Sequence, residues 1–511
     1  MASKFYFSKS RYCEYWQCPK AAWLHKHKPE AREVDEGTLQ RMITGDDVGD
    51  LAMGLFGDYV EVTARRDDGG LDLGAMIEAT AREMEAGTPV ICEASFSLEG
   101  LYCAVDILRR DEEHGGWAIY EVKSSTHPGK DVYAADIAYQ KHVLEGCGVN
   151  VCGTYVVCLD SAYVLDGELD VQELFKVADV SEAVAAEQRR VAANLQDARE
   201  LLASADEPDS GLSLRCDNPY HCAYWGYCTR DLPKPSVFDV YRFRRNAVSC
   251  YQEGIVSMRD LLDRHGDLLN EAQHRQVMYE VAAQNGRELP DHVDATAIRK
   301  FLGQLSYPLY FLDFETVMPA VPQYQGTRPY AQVPFQYSLH YIEREGGELQ
   351  HREFLAEPEG DPRRAIAESL VADIPADAYV TAYNKSFECN RLRELADAFP
   401  DLADHLRAIA GNIVDLLDPF RAGWYYTRAM GGSFSIKSVL PALFPNDPEL
   451  DYHALPGVHN GGEAMAAFPL MMSMPPDERE ATRKALLAYC ELDTLAMVKV
   501  WEKLREAAAA R

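Results

Sequence analysis

The chain has 511 residues, more than one hydrophobic core usually serves, so two or more domains are expected. Hydrophobic residues make up 47% and charged residues 26%, ordinary values for a soluble globular protein. The formal net charge of −30 argues against broad non-specific duplex binding, which needs Lys and Arg to neutralise phosphates, but leaves room for a groove of confined positive potential. Met1 to Arg11 contain no apolar h-region or small-residue cleavage site, and no apolar run approaches the roughly 18 residues of a membrane span. A cytoplasmic protein with no membrane partner is expected.

Residues 1–60 read as helical and carry Cys18-Pro19-Lys20. From about 88 to 160 the pattern changes to strands: Pro89–Phe96, Leu101–Leu108 and Trp117–Val122, then a helix over Ala134–Leu144 and a strand over Gly153–Leu159. The order is β-β-β-α-β. Cys92, Cys103, Cys147, Cys152 and Cys158 lie in or beside these apolar stretches and read as small buried residues. A long helix follows over 180–205, and the Pro-containing stretch Asp231–Pro235 closes this half.

Residues 236–303 read as polar helices. Within them Gly254–Leu261 has the turn-plus-helix look of elements that touch a DNA backbone, although plain packing explains so short a match as well. A second strand-rich region starts at Pro308, with helices around 363–372, 387–398 and 478–503. The expected architecture is α/β, with a domain over 1–232, a helical connector over 233–303 and a second domain over 304–511.

Acidic residues in the second domain carry the clearest chemistry. Asp313 and Glu315 stand at i and i+2 of an apolar strand, so both side chains share one face. Like charges placed together are costly unless something positive sits between them, and a divalent metal meets that need. Tyr379 to Glu388 reads as an apolar strand that turns into a helix with Glu388 at its start, and Tyr489 and Asp493 share a face of a late helix at i and i+4. The plainer reading is a polar strand face and a surface helix pair. Asp415 lies beside the site or caps a local turn.

These motifs, in this order, resemble those of the DEDD exonucleases of the RNase H-like fold. The resemblance implies that Asp313, Glu315, Glu388 and Asp493 hold two Mg²⁺ or Mn²⁺ ions, that Tyr489 orients or helps deprotonate the attacking water, and that cleavage runs 3′ to 5′. Glu388 stands where most of that superfamily has Asp.

In the first domain, Asp106 lies near the end of one strand and Glu121-x-Lys123 ends the next, with Gln140 on the following helix. Two carboxylates can hold a divalent metal, and the Lys can stabilise developing phosphorane charge; the bland alternative is a strand-end acid pair with a surface Lys. The pattern resembles the RecB-like branch of the PD-(D/E)xK nucleases. Cys18 with Cys216, Cys222 and Cys228 resembles the iron–sulfur members of that branch, which implies a [4Fe–4S] cluster; structural zinc is the alternative. Cys18 is preferred to Cys13 because Cys18-Pro19 matches the Cys-Pro motif, and packing suits His221 better than ligation. The early helix at Gly45–Ala52 lacks the His many RecB-like nucleases place there, and Asp50 is the candidate substitute.

The combination resembles an uncharacterised family of bacterial two-nuclease proteins, including Gly432-Ser433-Phe434-Ser435-Ile436-Lys437. The expected function is a metal-dependent nuclease acting on single-stranded DNA or DNA ends in repair, recombination or defence. The alternatives are an RNA-directed exonuclease, a nucleic-acid-binding protein with one or both centres inactive, and a scaffold whose cysteines bind zinc.

Overall fold

Apolar strands flanked by tight turns build the first half of the chain around one mixed sheet. The computed structural model describes residues 7–33 and 45–509. By internal contacts the chain divides into two units, residues 1–231 with 320–330 and residues 232–319 with 331–511. The overall class is mixed α/β, with more than one mixed sheet.

In unit 1 the strands are β1 (Phe7–Ser8), β2 (Val60–Glu61), β3 (Val90–Leu98), β4 (Leu101–Asp111), β5 (Gly116–Lys123), β6 (Val151–Leu159) and β7 (Phe175–Asp179). They pair in the order β2-β3-β4-β5-β6-β7, with β1 against β4. The helices are α1 (Lys9–Gln17), α2 (Pro19–His27), α3 (45–52), α4 (Leu73–Ala86), α5 (Asp131–Gly146), α6 (Val171–Leu174), α7 (Ser181–Ala203) and α8 (Trp225–Thr229). β3, β4 and β5 run antiparallel, whereas β5 and β6 are parallel and need a crossover, which α5 provides. The β-β-β-α-β order is therefore present.

α5 is buried along most of its length, and Ile137, Tyr139 and Val143 join a core with Ile91, Val105 and Ile119 of the sheet and Val191 of α7. The Tyr139 hydroxyl donates to the Phe7 carbonyl at 2.5 Å and accepts from the Tyr102 amide at 3.2 Å, which fixes β1 beside β4. Cys92, Cys103 and Cys158 are buried, as read from the sequence. Cys147 and Cys152 are exposed, a correction: Cys147 follows the end of α5, and Cys152 turns away from the core of its strand while Val151 turns inward. The helical reading of 1–60 holds for α1, α2 and α3 and fails at β1 and β2; residues 1–6 and 34–44 lie outside the described residues.

Unit 2 begins with α9 (Arg244–Gln252), α10 (Met258–His265), α11 (Glu271–Gln284), β8 (His292–Val293) and α12 (Ala295–Leu302). Val237, Phe243, Ile255, Met258, Leu261 and Val277 form a small core of their own, and Ile298 and Phe301 of α12 join the main core beside Trp501. The Gly254–Leu261 stretch packs: Ile255, Met258 and Leu261 are buried, and Ser257 caps α10 through the Asp260 amide at 3.0 Å.

The sheet of unit 2 contains β9 (Leu309–Val317), β10 (Val333–Ile342), β11 (Gln350–Leu355), β12 (Tyr379–Ala382) and β13 (Ile413–Asp415), in the order β11-β10-β9-β12-β13. β10 is antiparallel to β9 and β11, and β9, β12 and β13 are parallel. The intervening and following helices are α13 (Arg363–Asp373), α14 (Ser386–Ala398), α15 (Ala403–Gly411), α16 (Asp418–Arg421), α17 (Ile436–Leu443), α18 (Gly461–Leu470) and α19 (Pro476–Ala509), with the short strand β14 (Tyr425–Tyr426) pairing β8. α13, α14 and α15 cover one face through Ile366, Leu370, Leu392 and Leu406, and α19 covers the other through Leu492, Val500 and Trp501. Among the described residues no helix is long and apolar enough to cross a membrane.

Candidate functional site

Strand β9 is the middle strand of the unit 2 sheet, and on its α19 face Glu315 is buried and Asp313 half-buried. Asp313 and Glu315 occupy that face, and Asp493 of α19 meets them: the three carboxylates place an oxygen each within 4.8 Å of one another. Glu388, in the first turn of α14, lies within the field of Asp313. It is buried, and its Oε2 has no hydrogen-bond partner.

Charges this close and this dry raise one another. Burial first, then the charges of Asp493, Glu315 and Glu388, push Asp313 well above the usual carboxylate range. Burial and Asp493 push Glu315 up to about 8. Burial and Asp415 push Glu388 up to about 8, and burial also raises Asp493. The nearby cation is Lys437 of α17, whose ammonium donates to the Tyr489 hydroxyl at 3.2 Å. Tyr452 donates to Asp493 Oδ1 at 2.6 Å. Tyr489 is itself raised by burial and by Asp493, so its phenol stays protonated at neutral pH.

Asp415 lies beside this cluster but serves the backbone. Its Oδ1 accepts from the Asn384 amide at 2.9 Å and the Leu417 amide at 3.1 Å. Asn384 has a φ of +69, in the left-handed region that a short polar side chain tolerates. Lys437, Tyr452 and Gly461 were not singled out as site residues from sequence. Lys437 lies in the Gly432–Lys437 motif, whereas Tyr452 and Gly461 carry no local signal. Gly461 begins α18, and a methyl group on its Cα would stand 3.6 Å from Glu315 Oε2 and 3.9 Å from the Tyr489 hydroxyl.

In unit 1, Asp106 on β4, Glu121 and Lys123 on β5, and Gln140 on α5 come together as the sequence pattern requires. Gln140 Nε2 donates to Glu121 Oε2 at 2.7 Å, Lys123 donates to Glu121 Oε1 at 2.7 Å, and Asp106 Oδ2 accepts from the Val122 amide at 2.7 Å. Two further groups complete the cluster. Asp136, one turn before Gln140 on α5, accepts from Lys123 at 2.9 Å. Lys9 of α1 reaches between the two acids, donating to Asp106 Oδ1 at 2.9 Å and Glu121 Oε1 at 3.1 Å.

Lys9 therefore meets both acids. Burial works against its charge, but Asp106, Glu121 and Asp136 outweigh it and raise Lys9 well above the usual ammonium range. Glu121 is held well below its usual range, because Lys123 and Lys9 overcome the burial penalty. Asp106 is raised by burial and by Glu121, and Glu93 of β3 is pushed up to about 7 by burial and Asp106. Two ammoniums thus stand among the acids here, whereas in unit 2 Lys437 faces Asp313, Glu315 and Asp493 and Arg391 faces Glu388. Asp136 was legible as the i−4 neighbour of Gln140; Lys9, nearly a hundred residues from Asp106, was not.

Cys18, Cys216, Cys222 and Cys228 line one cavity with Leu24, Leu212 and Tyr224. Cys18 ends α1 and precedes Pro19 at the first position of α2, so its sulfur faces the Lys20 and Ala21 amides. Burial raises Cys18 against the opposing charge of Lys20, and pushes Cys222 up to about 12. Cys13 belongs to the sheet core instead. His221 pairs with Asp217 at 2.5 Å and is half exposed. Among the described residues the groups with three ligand atoms within 4.8 Å are Asp313–Glu315–Asp493 and His340–His351–Glu491.

Residues 310–435 match a family described as "Domain of unknown function (DUF2779)", a stretch that starts in β9 and ends just before α17. The chain is similar to "Uncharacterized protein MG366 homolog" of Mycoplasma pneumoniae, 27% identical over 206 residues, covering 37% of this chain and 31% of that protein. It is also similar to "Uncharacterized protein MG366" of Mycoplasma genitalium, 25% identical over 206 residues with the same coverage of 37% and 31%. The chain thus spans about a third of the length of these curated relatives. No solved structure matches it.

Proposed function

We propose that the chain is a metal-dependent nuclease whose hydrolytic centre is the acid cluster Asp313, Glu315, Glu388 and Asp493. One observation carries the reading: carboxyl groups raised by burial and by each other converge to within 4.8 Å, a concentration of acid that a divalent cation would neutralise. The sheet order β11-β10-β9-β12-β13, with Asp-x-Glu on its central strand, supports an RNase H-like domain of the DEDD type. Oxygen-only donors suit Mg²⁺ or Mn²⁺, and such ions supply an activated water and a stabilised leaving oxygen. Tyr489 keeps its proton, so it orients a water by hydrogen bonding instead of acting as the base, and Lys437 holds the phenol in place. Buried Glu388, with an unpartnered Oε2, closes the cluster on the α14 side.

For unit 1 the β-β-β-α-β order and the Asp106, Glu121, Lys123 and Gln140 contacts support a PD-(D/E)xK, RecB-like domain. A specific observation favours an inactive, nucleic-acid-binding reading of this centre: the Lys9 ammonium already bridges the two carboxylates that would hold the metal. The four thiols lining one cavity support a [4Fe–4S] cluster, with structural zinc as the alternative.

The substrate is taken as single-stranded DNA or a DNA end, with RNA as the alternative. End-labelled single strands of each, with Mg²⁺ or Mn²⁺, test the reading. The wild type and Asp106→Asn are expected to shorten DNA from the 3′ end, and Asp313→Asn is not. A wild type inert on every strand, or an active Asp313→Asn, overturns it.

A further inference from the structure

His340 on β10 and His351 on β11 face each other directly across an antiparallel pair, with ring centroids 4.6 Å apart. Glu491 of α19 completes a triad in which each residue offers a ligand atom within 4.8 Å of the others. The hydrogen bonds around the triad decide what its nitrogens carry. With the Thr494 Oγ1 proton on the Glu491 carbonyl at 3.1 Å, the hydroxyl is the acceptor for His340 Nδ1 at 2.8 Å and Ser338 Oγ at 2.7 Å. Ser338, having given its proton to Thr494, accepts from His351 Nε2 at 2.9 Å.

In that arrangement each imidazole turns one nitrogen to a hydroxyl, and the other, His340 Nε2 or His351 Nδ1, is the one left to ligate. His351 Nδ1 looks at Glu491 Oε1 across 3.8 Å, beyond hydrogen-bond reach, with an acceptor on each side of the gap. Ligands 2.0–2.1 Å from a tetrahedral zinc stand about 3.4 Å apart, so the gap closes on an ion with small side-chain movement. Glu353, within the field of both His351 and Glu491, adds a further carboxylate.

We infer that His340, His351 and Glu491 bind a divalent transition-metal ion of the Zn²⁺ type, leaving one position open to solvent. Imidazole donors select such an ion over the hard Mg²⁺ or Mn²⁺ suited to the all-carboxylate cluster. The hydroxyls of Ser338 and Thr494 are the outer groups that fix each ring's tautomer and direction. Bound there, the ion ties the β10–β11 edge to α19 two residues before Asp493. The inference does not rest on the nuclease reading.

Chelator-stripped full-length protein, titrated with Zn²⁺ by calorimetry and examined by zinc K-edge X-ray absorption, tests it. Zinc at the triad has nitrogen and oxygen neighbours, whereas zinc at the cysteine cavity has sulfur, so the two are counted separately. His351→Gln and Glu491→Gln are expected to weaken the nitrogen/oxygen site by at least about a hundredfold, and Thr494→Val by roughly tenfold. Cys216→Ser leaves it unchanged. Glu491 is half exposed, so Glu491→Gln keeps the test decisive even where a His variant melts early. A wild type with no nitrogen/oxygen-coordinated zinc, or a Glu491→Gln protein with wild-type affinity, overturns the inference.

Discussion

Replacing Glu315 by Gln removes one charge from the unit 2 cluster while keeping the side chain's shape. In the metal-free wild type, burial and Asp493 raise Glu315 from 4.5 to about 8. A carboxyl whose folded-state value exceeds its unfolded one keeps its proton longer in the folded chain. Its contribution to stability is complete below about pH 4.5 and is lost as the pH rises toward about 8. At ~1.4 kcal/mol for each tenfold change in proton affinity, that loss is at most about 5 kcal/mol, and it is shared with Asp493 and Asp313 because the three titrate in one field. Gln cannot ionise, so Glu315→Gln without metal is expected to match the wild type near pH 5 and to exceed its stability at pH 8. Equilibrium urea unfolding in chelator at pH 5, 6.5 and 8 measures the difference. Excess Mn²⁺ is expected to stabilise the wild type at pH 8 far more than the variant, since the ion replaces the missing protons. A wild-type–variant gap independent of pH, or a metal-free wild type that gains stability from pH 5 to 8, refutes the reasoning.

At the same centre, Tyr489→Phe is expected to cut the nuclease rate by about 100-fold with little change in KM, because an orienting hydroxyl is lost while substrate contacts remain; steady-state kinetics on a labelled single strand read it. Lys437→Met is expected to act in the same direction through Tyr489. In unit 1, Lys9→Gln is expected to add one Mn²⁺ equivalent in electron paramagnetic resonance titrations, by emptying the space between Asp106 and Glu121; unchanged stoichiometry rejects Lys9 as the resident counter-ion. Cys216→Ser is expected to abolish the brown colour near ~400 nm of anaerobically purified protein and to lower unit 1's melting temperature. A colourless wild type containing zinc reverses the cluster assignment.

The sequence by itself determined the strands and helices that carry the acid motifs, and their order. The apolar runs around Asp106, Glu121 and Asp313 became β4, β5 and β9. The i, i+2 spacing on β9 and the i, i+4 spacing on α19 aim both sets of side chains correctly, because strand and helix periods are local properties of the backbone. It misread Cys147 and Cys152, since an apolar neighbourhood in sequence does not say which side of a strand or helix end meets solvent. Only the tertiary structure decided what stands between the acids. Lys9 arrives from α1 to neutralise Asp106 and Glu121, whereas Asp313, Glu315 and Asp493 converge with Lys437 on the Tyr489 hydroxyl as their nearby cation. Charge balance inside a fold depends on residues far apart in the chain, so similar-looking acid motifs end as a lysine-bridged network in one unit and a cluster of mutually raised carboxyls in the other.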